Sequence, residues 1–79
     1  MINQLCKEIE AALNQKIKTP KDFIFLRDNI YSRLHVLVSR TTLMRIWGYL
    51  SEDVTPRVGT LSILAEFLGY RNWEDYCRN

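Results

Sequence analysis

The stretch Val38-Ser39-Arg40-Thr41-Thr42-Leu43-Met44-Arg45-Ile46-Trp47-Gly48-Tyr49-Leu50 decides how this chain is read. Leu43, Ile46, Trp47 and Leu50 recur at i, i+3, i+4 and i+7, which places four apolar side chains on one face of a helix. Ser39 stands just before them, where a hydroxyl can accept from a free backbone N–H of the first turn. The spacing therefore predicts a helix from Arg40 to about Leu50. With about 100° per residue, the opposite face carries Thr41, Arg45 and Gly48, flanked by Thr42, Met44 and Tyr49. Arg40 falls in the first turn, near the edge.

Upstream, Thr19-Pro20-Lys21-Asp22 is a strong start signal for a preceding helix. Thr19 caps, Pro20 sits where its missing N–H costs nothing, and Asp22 faces the positive end of the helix dipole. Phe23, Leu26, Ile30 and Leu34 line one face, and the helix is expected to end near Leu34. His35-Val36-Leu37-Val38 has strand propensity but no second strand to pair with, so it reads as a buried turn or connector. A first helix is expected over about Asn3 to Lys16, capped by Asn3, with Leu5, Ile9, Ala12, Leu13 and Ile17 as its stripe.

Downstream, residues 51–55 read as a polar loop, and Thr55-Pro56 repeats the cap-then-proline signal. A fourth helix is expected from Pro56 to Leu68, with Val58, Leu61, Leu64, Ala65 and Leu68 inside. Gly59 leaves Thr60 open as an alternative start. Gly69 is a natural helix terminator because it takes the left-handed conformation without a Cβ clash. Asn72-Trp73-Glu74-Asp75 then caps a short last helix through about Arg78, with Trp73, Tyr76 and Cys77 packing back. The fold class is all-α, a compact bundle of about five short helices. Residues 1–79 form a single domain, expected to belong to a larger protein from which it is cut or within which it is fused.

Composition agrees with one small globular domain. Of 79 residues, 47% are hydrophobic and 25% charged, which sets the chain apart from disordered sequences. The longest apolar run is the four residues Phe23-Ile24-Phe25-Leu26, far short of the roughly 20 needed to span a membrane. Lys7, Glu8 and Glu10 interrupt any secretion signal, so a cytoplasmic location is expected. Cys6 and Cys77 have no metal or redox spacing and read as two small hydrophobes, buried or half-buried. The net charge of +2 is unevenly spread. Residues 20–50 carry Lys21, Arg27, Arg33, Arg40 and Arg45 against Asp22 and Asp28, whereas residues 51–79 are acidic on balance. A basic middle segment suggests a surface facing a polyanion; the alternative is ordinary scatter of charge over a small domain.

The run from Val38 to Ile46 resembles the turn and recognition helix of helix-turn-helix proteins of the phage-repressor type. A small apolar residue, a Ser cap and three polar residues precede the anchors Leu43 and Ile46. The downstream segment resembles the family too: Thr60-Leu61-Ser62-Ile63-Leu64-Ala65-Glu66-Phe67-Leu68-Gly69 after Thr55-Pro56. The resemblance covers about residues 20–76. The runs Leu43 to Tyr49 and Leu68-Gly69-Tyr70 with Trp73 look like modules at the N-termini of larger proteins from Bacteroides-type bacteria. Two positions depart from the family. Its small residue at the helix crossing is Arg33 here, and its turn glycine is Leu37. Arg33 cannot pack tightly at a crossing, and Leu37 resists a left-handed turn. A wider turn or a different register is expected.

The resemblance implies a helix-turn-helix core and a DNA-binding module, a transcriptional regulator whose helix at about 40–50 lies in the major groove of double-stranded DNA. Carried over, Arg40, Thr41, Thr42 and Arg45 would meet base edges. Arg can donate two hydrogen bonds to guanine O6 and N7, and Thr can contact bases or phosphate. Ser39 would help hold a phosphate, with Arg33 and Arg57 flanking and Tyr49 offering its hydroxyl. Arg40 and Arg45 can equally be read as solvated residues of an exposed face. A weakly charged single copy implies a homodimer on a two-fold site, or a fused C-terminal domain that oligomerises. The alternative function is a protein-protein interaction domain that keeps the fold without binding DNA. No catalytic arrangement, metal set or cofactor motif is present in the sequence, so an enzyme is not expected. Trp47 and Trp73 read as core, and His35 as structural.

Overall fold

The computed structural model describes residues 2–49 and 56–78, and five helices form among them. They are α1 (Ile2–Leu13), α2 (Pro20–Leu34), α3 (Arg40–Ile46), α4 (Val58–Phe67) and α5 (Trp73–Arg78). No strand forms among the described residues. The chain is all-α, as its periodicities predict.

The start of α2 forms as its residues dictate. The Thr19 side chain accepts from the Asp22 N–H at 3.3 Å, and Asp22 reaches back to the N–H groups of Thr19 and Lys18, both at 2.9 Å. This reciprocal capping box satisfies donors that the first helical turn leaves free. The start of α5 is held in a related way: Asn72 Oδ1 accepts from the Asp75 N–H, and Asp75 accepts from the N–H of Arg71, the residue before the cap. The Trp73 N–H donates to Ser62 Oγ at 3.0 Å, which ties α5 to α4.

Helices α1 to α4 each end on a residue in the left-handed region: Asn14 (φ 53°), His35 (φ 56°), Gly48 (φ 81°) and Gly69 (φ 100°). Behind Asn14, Gly48 and Gly69 the backbone closes with paired bonds, such as Gly48 N–H to Arg45 O and Tyr49 N–H to Met44 O. That is the Schellman closure, which satisfies carbonyls the helix end would otherwise orphan. Three expected boundaries are thereby corrected. The first helix stops at Leu13 rather than Lys16, because Asn14 turns the chain, and it starts at Ile2, so Asn3 lies inside it rather than capping it. The third helix stops at Ile46, because Gly48 terminates it instead of occupying its exposed face. Its expected end at Leu50, the loop over 51–55 and the Thr55 cap lie outside the described residues.

The core is built from Leu5 and Ile9 of α1, Phe23, Leu26 and Ile30 of α2, Leu43 and Ile46 of α3, Leu61, Leu64, Ala65 and Phe67 of α4, and Tyr76 of α5. Ile17 is fully buried, but from the connector rather than the first helix; its N–H donates to Glu10 Oε2 at 2.8 Å, which fixes the returning chain. Ala12 and Val58, expected inside, are exposed, and Leu68 is only half-buried. Val58 is the first residue of α4. Of His35 to Val38, only Val38 is buried; Leu37 is 71% exposed.

The two cysteines part company. Cys6 is buried, with its Sγ 3.9 Å from the Ile46 carbonyl; burial first, and Glu10 second, push its thiol up to about 12. Cys77 is exposed rather than buried, because α5 turns Trp73 and Tyr76 inward instead.

Candidate nucleic-acid interface

The turn from α2 into α3 comprises the five residues 35–39, longer than the three or four usual between such helices. Its left-handed position is His35, immediately after α2, where the His35 N–H donates to Tyr31 O at 2.8 Å. Leu37, the expected turn position, has no positive φ. The strain that a leucine would have met there is avoided by placing the left-handed residue two positions earlier.

At the start of α3, Ser39 takes an extended conformation and its Oγ accepts from the Thr42 N–H at 3.2 Å. The Ser39 and Thr42 hydroxyls are themselves 2.8 Å apart. Leu43 is fully buried and Ile46 nearly so, which anchors the inner face of α3. Arg40, Thr41 and Arg45 are exposed on the same helix, and Thr42 is half-buried. Met44, expected at the exposed margin, is half-buried against the core.

The remaining candidates stand apart from α3. Tyr49 lies beyond the Gly48 turn, 49% exposed, with its ring 5.6 Å from that of Phe23. Arg57 is the exposed N-cap residue of α4 and makes no side-chain capping bond there. Arg33 is held at the far end of α4: its Nη1 donates to the Phe67 carbonyl at 2.7 Å, and its guanidinium carbon lies 4.7 Å from the Phe67 ring centre. Arg27 is paired with its neighbour Asp28 at 3.2 Å. The structure therefore brings Ser39, Arg40, Thr41, Thr42 and Arg45 together on one short helix, and turns Arg33 toward other work.

Trp47 is half-buried, edge-on to Phe23 with ring centres 6.1 Å apart, and its indole nitrogen is buried without a hydrogen-bond partner. Among the described residues no group of three or more His, Cys, Asp or Glu could hold a metal ion. No helix among them is long and apolar enough to cross a membrane. Sequence reading missed one feature, a lysine-lined groove beside Trp47 and Tyr49. Lys7, Lys16 and Lys18 were its only signal, and a helix continuing to Lys16 would not have gathered them.

No family model, curated protein or solved structure matches this chain.

Proposed function

We propose that this chain is a DNA-binding module, a transcriptional regulator or part of one, that presents α3 to the major groove of duplex DNA. The observation that carries this reading is the two-sided character of α3. Leu43 and Ile46 fasten it to the bundle, while Arg40, Thr41 and Arg45 stand exposed on it. Arg40 and Arg45 suit bidentate donation to guanine, and Thr41 and Thr42 suit base edges or phosphate. The Ser39 cap holds the first turn in register. Arg57 and Tyr49 supply flanking contacts. Binding is dominated by phosphate neutralisation and falls steeply with salt. Dimerisation on a two-fold site, or fusion to an oligomerising domain, raises the affinity of so modestly charged a unit. The setting is the bacterial cytoplasm.

The test is selection from a randomised duplex library at low and at physiological salt, beside Arg40→Ala and Arg45→Ala. A defined sequence should be enriched at physiological salt and lost in the variants. Base-specific contacts of this kind carry about 1–3 kcal/mol of discrimination. Enrichment that survives both substitutions would overturn this reading face.

A second reading, a protein-interaction domain that keeps this fold without binding DNA, is favoured by where the arginines go. Arg33 and Arg27, half of the arginine charge of the basic middle segment, are engaged with Phe67 and Asp28 rather than gathered beside α3. Absence of duplex binding at either salt selects it.

A further inference from the structure

We propose that the groove between the end of α1 and the end of α3 docks an acidic peptide segment of a partner protein. The groove has a volume of about 790 Å³ and is lined by Lys7 of α1, Lys16 and Lys18 of the connector, and Trp47 and Tyr49 beyond α3. Among the described residues, three lysines and a single carboxylate, Glu10, line this space, and the Glu10 Oε2 already accepts from the Ile17 N–H. Its described lining is positive on balance, and the natural complement is a chain bearing carboxylates. Exposed lysines carry their charge on flexible stems that can follow a mobile ligand. Asn3 and Asn14 also line it, and their amides offer both donors and acceptors to a peptide backbone.

Trp47 lines the groove, so its indole N–H signal reports the arrival of an occupant even though the nitrogen itself is buried. A groove of this size admits a single extended segment but not the width of a duplex. It lies at the opposite end of α3 from Ser39 and Arg40 and shares Tyr49 alone with the proposed DNA-contacting residues.

The experiment is titration of the ¹⁵N-labelled chain with a capped hexaglutamate peptide, with capped hexalysine and a short DNA duplex as comparison probes. The two indole N–H signals, from Trp47 and Trp73, provide the readout. Trp73 stacks on Tyr76 in α5 and does not line the groove, so it serves as the internal reference. Hexaglutamate should shift the Trp47 signal saturably and leave Trp73 in place. The double substitution Lys16→Glu and Lys18→Glu, at two exposed positions, should weaken that binding about fivefold or more. The proposal is overturned if Trp47 does not respond, if hexalysine moves it equally, or if the double variant binds as tightly. It is also overturned if only the duplex moves Trp47 in a lysine-dependent way, because the groove is then a nucleic-acid contact.

Discussion

Arg33 closes the end of a helix thirty-four residues away: its Nη1 lies 2.7 Å from the Phe67 carbonyl, with the guanidinium over the Phe67 ring. Phe67 is the last residue of α4, so this carbonyl belongs to the set that a helix end leaves without internal partners. A cation there also meets the negative end of the helix dipole. One side chain thus caps, neutralises and stacks, and it pins the last turn of α2 to the last turn of α4.

Arg33→Ala should therefore lower stability rather than duplex affinity. The combined loss is about 1 kcal/mol, discounted for the exposure of the side chain. In a domain of this size that corresponds to a fall of about 4–8 °C in Tm. Thermal unfolding read beside duplex binding separates the two roles. Unchanged Tm with weakened DNA binding would return Arg33 to the phosphate-contacting set implied by the family resemblance.

Glycine substitutions should change sign with backbone conformation. A Cβ at Gly48 would meet nothing within 4 Å, yet its φ is +81°. Gly48→Ala should therefore cost about 1 kcal/mol from the left-handed backbone alone. Gly59 has equally open surroundings, but it lies in α4 and has no positive φ. Gly59→Ala should stabilise by about 0.5 kcal/mol, through helix propensity and a less flexible unfolded chain. Urea midpoints of the two variants, moving in opposite directions from the parent, check this pair.

The same distinction explains how much could be read from the chain. Capping at Thr19, Ser39 and Asn72 was legible because each uses a side chain at a fixed offset from the residue it caps. Termination at Gly69 was legible because glycine there comes after a long apolar period. Gly48 was not, because Trp47 and Leu50 continue the helical spacing across it and periodicity outvotes one glycine. Asn14 and His35 were harder still: each takes a left-handed conformation without the glycine that usually marks such a helix end. The inner face of α3 was read from Leu43 and Ile46, but the fate of Arg33 depends on α4 arriving beside it, and no local pattern encodes that. The lysine groove stayed hidden for the same reason, since Asn14 ends α1 early and takes Lys16 out of the expected helix.

Acid should weaken the α1–α2 corner first. The Asp22 carboxylate accepts from the backbone N–H groups of Lys18 and Thr19 and from the Gln15 amide. These bonds, the Lys18 N–H foremost, hold its carboxyl below the ordinary 3.8. Because the folded value is lowered, the unfolded chain takes up the proton first as pH falls. The stabilisation is complete above the ordinary value, shrinks below it, and is lost once the pH passes the folded value. Asp22→Asn keeps the size of the side chain but removes the charge and the titration. Its urea midpoint should lie below the parent's at pH 7, and the gap should narrow as the pH drops from about 4 toward 2. A gap that stays constant over that range would mean that the capping geometry, and not the charge, is what Asp22 contributes.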